Sequence, residues 1–379
     1  MTLCRSLLLM TLLFSLKTGA QGWAVDTNTA DALSCENPTV KNVVRVPNLP
    51  PGRAQDGLGF CYAMAVSTVL DHKYCQAKKI DCVPDVKKIT GKSVSELTPE
   101  DIKKFKDKIP DNRVSVLDVM AQGQRRKLQE GGIPFNILMK LRKSEKFARE
   151  SCAPFDKLVY QDWDQVKLKK NFTWWHEYET LYNNYKSLPL SEQDEASFVC
   201  AQKMFEIFPA QKNVALIRKA LRKDSFGEFM ATLTVPETCQ KNTLLMPEYK
   251  VKKGKENIAL DLQVDQLLRE GKPIIAQHCA LSPKRKLFSK ECGPHSNVIV
   301  ASRTLCCGEV CEKQYQLRDS TFPRMNKFCF KDGKLICSTE DSQGWESAAE
   351  FRRKMKLWEK LVRDESYDKA YNSSIVWIE

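Results

Sequence analysis

The sequence is poor in histidine. Only four occur in 379 residues, so any chemistry that needs an imidazole must draw on His72, His176, His278 or His295. Beyond the N-terminal segment no stretch is apolar enough to cross a bilayer, which excludes a membrane span there. Arginine-rich clusters and nucleic-acid-binding motifs are missing as well. The formal net charge of +13 therefore reads as a lysine-rich solvated surface, with an acidic partner surface as the alternative, and not as a nucleic-acid footprint. Internal repeats and low-complexity tracts are absent, which excludes a repeat architecture. With 42% hydrophobic and 28% charged residues, the chain is globular, with material for one large domain or two modest ones.

Cysteine, by contrast, is plentiful, at 15 residues. The N-terminal "MTLCRSLLLMTLLFSLKTGA" carries Arg5, an apolar run from Leu7 to Leu16, and small residues at Thr18 and Ala20. That pattern predicts a secretory signal peptide over residues 1–20, cleaved after Ala20 or Ala24, while Lys17 interrupts the run that a membrane anchor would need. A secreted or periplasmic location follows, and there close cysteines pair. Cys75 and Cys82 are expected to bridge a turn. Cys306, Cys307 and Cys311, with Cys329 and Cys337 downstream, are expected in disulfides; a zinc site is the alternative, but no C-x-x-C pair recurs. No metal and no cofactor is expected. Losing Cys4 with the leader leaves an even number of cysteines, so one free thiol implies a second. "NFT" at Asn171 and "NSS" at Asn372 are glycosylation acceptors if a eukaryote makes the protein.

The hydrophobic periodicity runs helical first and β-rich second, an α+β order. After a proline- and glycine-rich lead-in, "VPNLPPGRAQDG", the stretch "FCYAMAVSTVLDHKYC" predicts a largely buried helix starting near Phe60 or Cys61. "LTPEDIKKFKDKIP" reads as a short surface helix with Thr98 as N-cap, and "GGIPFNILMKLRKSEKFA" as a glycine turn followed by a helix. Residues 156–256 read as a helical insertion. Its stripes, Trp174, Tyr178, Leu181, Tyr182 and Tyr185, then Val214, Ile217, Ala220 and Leu221, are expected to be packing surfaces. Residues 257–337 carry the short β-rich runs "KPIIAQHCAL", "SNVIVASRTLC", "KQYQLRDS" and "KLICST", the pattern of an antiparallel sheet or barrel. Residues 338–379 read as a helical extension with Trp345, Phe351, Met355 and Leu361 near one face.

A cysteine at a helix N-terminus is a candidate nucleophile, because the backbone dipole and unpaired N–H groups favour the thiolate. Cys61 has that placement. It needs a base, a group to orient the base, and donors for an oxyanion. His72 lies far along the same helix, His176 sits on the tyrosine-rich helix, and His278 lies inside an apolar strand as a core histidine would. His295, which opens the strand "SNVIVAS", is the prime candidate, and Asp319, at the end of "QYQLR", would lie near it if the two strands pair.

These segments resemble the papain-like cysteine peptidases. "QDGLGFCYA" is similar to the family's active-site stretch, in which a glutamine precedes the nucleophilic cysteine by six positions; Gln55 and Cys61 hold those places, and Tyr62 stands where tryptophan is usual. "VLDVMAQGQRRKLQEGGIPFNILMKL" resembles the segment whose double glycine borders the substrate groove, placing Gly131 and Gly132 there. "GPHSNVIVASR" resembles the catalytic-histidine strand and "YQLRDS" the strand of the orienting asparagine, whose place Asp319 takes. The family often bridges two positions held here by Leu58 and Gln129, so both partners are missing together. Ser320-Thr321-Phe322 replaces the usual Ser-Trp-Gly, whose tryptophan shields the histidine pair.

The resemblance implies a helical half with a central helix over residues 25–155, the insertion, and an antiparallel, barrel-like half over 257–337. It implies a Cys61–His295–Asp319 peptidase with Gln55 in the oxyanion hole and Gly131 and Gly132 binding an extended peptide or protein substrate. The stretch between the leader and Gln55 is too short for the family's long inhibitory propeptide, so either the insertion or a partner gates the cleft, or catalysis has been lost. Two rivals stay open: a Cys-His-Asp acyltransferase or cell-wall amidase, and an inactive protein that binds through the cleft or the basic insertion.

Overall fold

The computed structural model describes residues 38–379 apart from short stretches, of which the longest are 124–131, 282–291, 321–329, 336–343 and 365–374. The expected leader lies outside the described residues. The chain enters through strand β1 (Thr39–Arg45) and the lead-in to helix α1 (Cys61–Lys78). No glycine or proline interrupts α1, and small or apolar residues occupy nearly every side. Tyr62, Ala63, Val66, Val69 and Leu70 are all at or below 1% exposure, so the helix is central and packed all round. It stops at Lys79, whose left-handed backbone returns its N–H to the carbonyls of Cys75 and Gln76. Thr98 caps the following surface segment: its hydroxyl accepts from the Asp101 N–H, and the Asp101 carboxylate accepts from the Thr98 N–H. Helices α2 (Val116–Gly123) and α3 (Pro134–Leu141, with proline at its first turn) and strand β2 (Lys146–Ala148) complete this half.

The insertion is helical as expected, with α4 (Gln165–Lys186), α5 (Leu190–Ile207), α6 (Val214–Leu221) and α7 (Phe226–Thr234). It does not form a core of its own. Trp175 packs edge-on against Phe60, just before α1, at 4.9 Å, and Trp174 stacks on Phe208 at 4.6 Å, so the aromatic stripe belongs to the same core as α1. Strand β3 (Thr243–Leu245) returns the chain to β2, and the Cys152–Cys239 disulfide staples the two ends of the insertion together.

Strand β4 (Val251–Lys253), helix α8 (Leu260–Arg269), strands β5 (Ile274–Leu281), β6 (Cys292–Cys307), β7 (Val310–Arg318) and β8 (Trp345–Ser347), helix α9 (Ala348–Asp364) and strand β9 (Ile375–Ile378) follow. The C-terminal segment thus holds its expected helix plus two strands that a helical periodicity does not announce. The antiparallel sheet runs β8-β7-β6-β5-β9-β4, with β1 on β6. It is an open sheet among the described residues, which corrects the expected barrel. The cause lies in β6: β5 pairs its first part, through Ile299, and β1 pairs the part from Ala301 onward, while a register shift between Ile299 and Ala301 marks the change of partner. One long strand therefore serves two neighbours on the same edge, and the sheet splays where closure would need one.

Alternation along the strands sorts two cores. Ile275, Val298, Val300, Val376 and Ile378 join the core around α1, whereas Ile274, Ile299, Leu317, Ile375 and Trp377 join a second core under α8 and α9. Cys75–Cys82 is disulfide-bonded as expected, and so is Cys306–Cys311; Cys279 and Cys307 are disulfide-bonded too. Cys61 and Cys200 are the free thiols among the described residues, in line with the parity of the cysteine count. No helix among those residues is long and apolar enough to cross a membrane.

A buried ionic cluster fastens the lead-in. Arg53 reaches Asp71 on α1 at 2.8 Å and Glu150 at 2.9 Å, and Arg113 Nε lies 3.2 Å from the same Asp71 oxygen. The backbone N–H groups of Val114, Val116 and Phe155 donate to the remaining carboxylate lone pairs. Removing one partner of such a cluster strands a buried charge. Asp71→Asn is expected to destabilise the fold by about 3–5 kcal/mol, read as a lower urea midpoint at unchanged slope; a loss under about 1 kcal/mol would show that the cluster is not a structural anchor.

Candidate active site

The site is assembled from three stretches that the fold brings to the N-terminal end of α1. Phe60, in the last turn before that helix, is fully buried against Phe155 and Trp175, and its N–H is taken by the Leu58 carbonyl, while the Leu58 N–H goes to the Gln55 carbonyl. This winding places Cys61 at the first helical position. No side-chain cap occupies the helix end and no acidic residue sits in its first turn, so the open amides are left to favour a negative group there. Cys61 itself is 8% exposed.

His295 meets it from β6. Its Nε2 lies 2.9 Å from Asp319 Oδ1, and its ring is hydrogen-bonded to the Cys61 side chain, so Cys61, His295 and Asp319 form one chain of contacts. With Nε2 turned to the carboxylate, Nδ1 is the nitrogen left for sulfur. Burial by itself would lower the affinity of this imidazole for a proton, but the adjacent Asp319 carboxylate and the Cys61 side chain outweigh it and hold the His295 pKa well above its ordinary value. The pairing of β6 with β7, in which Val298 faces Arg318, carries Asp319 to the histidine, as the juxtaposition of the two strands required.

Gln55 is fixed by the residue after Asp319. The Ser320 hydroxyl donates to Gln55 Oε1 at 2.8 Å, and the Gln55 N–H donates to the Ser320 carbonyl at 2.9 Å. Its acceptor end is thereby engaged, which turns the amide donor end away from Ser320. Of the double glycine, Gly132 lies two residues before α3, and Gly131 is outside the described residues. Thr321 and Phe322, which follow Ser320, are outside them too.

The other histidines fall where the sequence put them, with one addition. His72 is buried with Nε2 at 3.0 Å from the Pro47 carbonyl, and His176 is exposed. His278 is a satisfied core histidine, but it sits directly across from His295 in the β5–β6 register. Its Nδ1 donates to the Cys279 carbonyl at 3.1 Å, which leaves Nε2 to accept from Asn297 Nδ2 at 3.0 Å; the same amide reaches Asp319 Oδ2 at 3.3 Å. Phe351 of α9 packs edge-on against the His278 ring at 5.6 Å. Asn297, Ser320, His278 and Phe351 thus support the site without having been singled out for it. Only Asn297 left a trace in the sequence: two residues from His295, it must share its face of the strand.

No family model matches the chain, and no curated protein matches its sequence.

Three buried histidines give stability a predictable pH dependence. Burial holds His72 down to about 4 and His278 down to about 3, so between those values and 6.5 the unfolded chain binds protons that the native chain refuses. Acidification through that window must destabilise the fold, by up to about 1.4 kcal/mol per pH unit for each histidine. His295 acts in the opposite sense: its contribution is fully present below 6.5 and is lost as pH rises through its raised pKa. Urea titrations from pH 7 to 4 are expected to give falling unfolding free energies, with a shallower slope in His72→Gln; an unchanged slope in that variant would refute the assignment.

Proposed function

We propose that this chain is an extracytoplasmic papain-like cysteine endopeptidase. The observation that carries the proposal is the Cys61–His295–Asp319 chain of contacts at an uncapped helix N-terminus. The disulfides support a location outside the cytosol. Cys61 attacks the scissile carbonyl of a peptide as its thiolate, and the His295 imidazolium, held charged by Asp319, gives its proton to the leaving amine. Water, deprotonated by the now neutral His295, then releases the acyl group and restores the thiolate. Gln55 Nε2 and the Cys61 backbone N–H are the groups that would hold the oxyanion. Gly131 and Gly132 would present backbone to an extended substrate.

Asp319 distinguishes this site from the usual asparagine. A carboxylate raises the imidazole pKa where an amide would not, so the charged pair is expected to persist to higher pH. Two outcomes test the proposal. An epoxide that alkylates papain-like cysteines should modify Cys61 stoichiometrically, read by mass spectrometry, and Cys61→Ser should lose peptide hydrolysis by roughly 1,000-fold or more while keeping its fold. Folded protein that resists the epoxide, or a Cys61→Ser variant with undiminished turnover, would sink the mechanism; capture of protein without cleavage would favour a binding role, and cleavage of muropeptides over unfolded protein the amidase alternative. In Asp319→Asn the alkaline limb of the kcat/KM profile should move to lower pH, and an unmoved limb would show that Asp319 does not set the imidazolium.

A further inference from the structure

Asn297 is 2% exposed, with His278 at 4% and Asp319 at 5%, so protein partners decide which way its amide points. The two ends of an amide have nearly the same shape and opposite hydrogen-bonding character. His278 decides between them. Its Nδ1 faces the Cys279 carbonyl at 3.1 Å, and a carbonyl only accepts, so Nδ1 carries a proton. Burial and the neighbouring His295 keep the ring neutral, which leaves Nε2 as a bare acceptor 3.0 Å from the Asn297 amide nitrogen. That nitrogen has two hydrogens. One goes to His278, and the other is left for Asp319 Oδ2 at 3.3 Å. Turned over, the amide would set its oxygen against both a bare nitrogen and a carboxylate.

The chain of contacts from His278 through Asn297 and Asp319 to His295 thus has one consistent set of donors and acceptors, and in it Asp319 is ionised. Its Oδ1 takes the His295 Nε2 contact and its Oδ2 the amide, and each donor to a buried carboxylate favours the charged form. Other groups act on the same pair. Glu346 of β8 lies in electrostatic range of Asp319 and opposes a second negative charge, while it is itself paired with Lys354 of α9. Lys354 in turn disfavours a proton on His278. Cys61 of α1 acts through His295, and Arg318, beside Asp319 in the chain, is engaged with Asp71, Arg113 and the Pro50 carbonyl. The contacts are held by backbone ladders: His278 stands opposite His295 in the β5–β6 register, and β6 pairs with β7 up to Arg318.

We propose that Asn297 is a positioning residue of this site: its amide, oriented by the lone pair of His278 Nε2, keeps Asp319 ionised and its other oxygen on His295. The proposal rests on the peptidase reading of the Cys61–His295 pair. It gives His278 a role as the acceptor that aims Asn297, at one remove from Asp319 and two from His295. Without the amide, Asp319 takes up a proton more readily, and once protonated it withdraws its support from the His295 imidazolium and so from the Cys61 thiolate. The effect therefore falls on the acid side of the activity profile. Substrate binding is untouched, because neither Asn297 nor His278 is among the groups that would hold a peptide.

The test uses the full secreted chain and two readouts, peptide hydrolysis and the pH profile of Cys61 alkylation by iodoacetamide, which needs no substrate. Asn297→Leu should lower kcat by roughly 10-fold with KM within about twofold, and should move the acid limb of both profiles up by about half a pH unit or more. His278→Leu should move the limb the same way. His278→Gln, whose side-chain carbonyl can accept the same N–H, should restore kcat to within about threefold of the parent; this pair of variants decides the matter even if Asn297→Leu does not fold. An acid limb that stays in place in Asn297→Leu, or equal losses in His278→Leu and His278→Gln, would overturn the positioning role. A parent chain that cleaves no peptide, with an alkylation limb that still moves in the variants, would remove the peptidase reading and leave the positioning of Asp319 standing.

Discussion

The bidentate grip of Arg53 on Asp71 and Glu150 is the constraint on which the rest of the structure depends. It joins three pieces of chain that share no secondary structure: the lead-in, the central helix and the turn after β2. The lead-in has no ladder to hold it, because prolines at positions 47, 50 and 51 remove the N–H groups a strand would need. Charge-assisted hydrogen bonds replace the ladder. They fix the path that leads to Gln55, whose own end is held by Ser320 after β7, so the approach to Cys61 is set by the ionic cluster together with the end of the sheet. In a dry interior that cluster is stable only when nearly every lone pair and N–H is used, which is why backbone donors from Val114, Val116 and Phe155 converge on it.

The second determinant is the change of partner along β6. Its first half faces β5 and carries His295 opposite His278, while its second half leaves with β7 and is covered by β1. The site occupies the first half, where the sheet is sandwiched between α1 and the cap made by α8 and α9. There the Asn297 amide, bonded also to neutral His278, holds the second oxygen of Asp319, and Phe351 packs against the His278 ring. The carboxylate is thereby presented to His295 in one orientation. Burial works with this arrangement: it keeps His278 uncharged, and a second imidazolium beside His295 would work against the charge that Asp319 stabilises.

Much of this was legible in the chain. Helix α1 announced itself by an apolar run without glycine or proline, the aromatic stripe of the insertion by its spacing, and the cysteine parity by simple counting, with Cys200 as the second free thiol. Cys61, His295 and Asp319 were named from local pattern and Gln55 from the resemblance of its stretch to a known one, and the fold brings all four to one end of α1. The open sheet was not legible, because a register shift inside one strand leaves the alternation of apolar residues nearly intact. Nor was strand β9: a four-residue apolar run at a chain end has no periodicity to distinguish it, and its place between β5 and β4 depends on an edge offered by residues far away in sequence.

By itself, then, the sequence determined the residue types and their local settings: a cysteine at a helix start, a histidine opening a strand, a carboxylate ending another, and an even set of cysteines suited to pairing. These depend on interactions within a few residues, where spacing is information enough. The tertiary structure alone decided that His278 faces His295 and supports Asn297, that Ser320 anchors Gln55, and that the C-terminal strand completes the sheet. Each of those is a contact between residues distant in the chain, set by how strands and helices pack, and no local pattern encodes which distant partner a buried polar group will find.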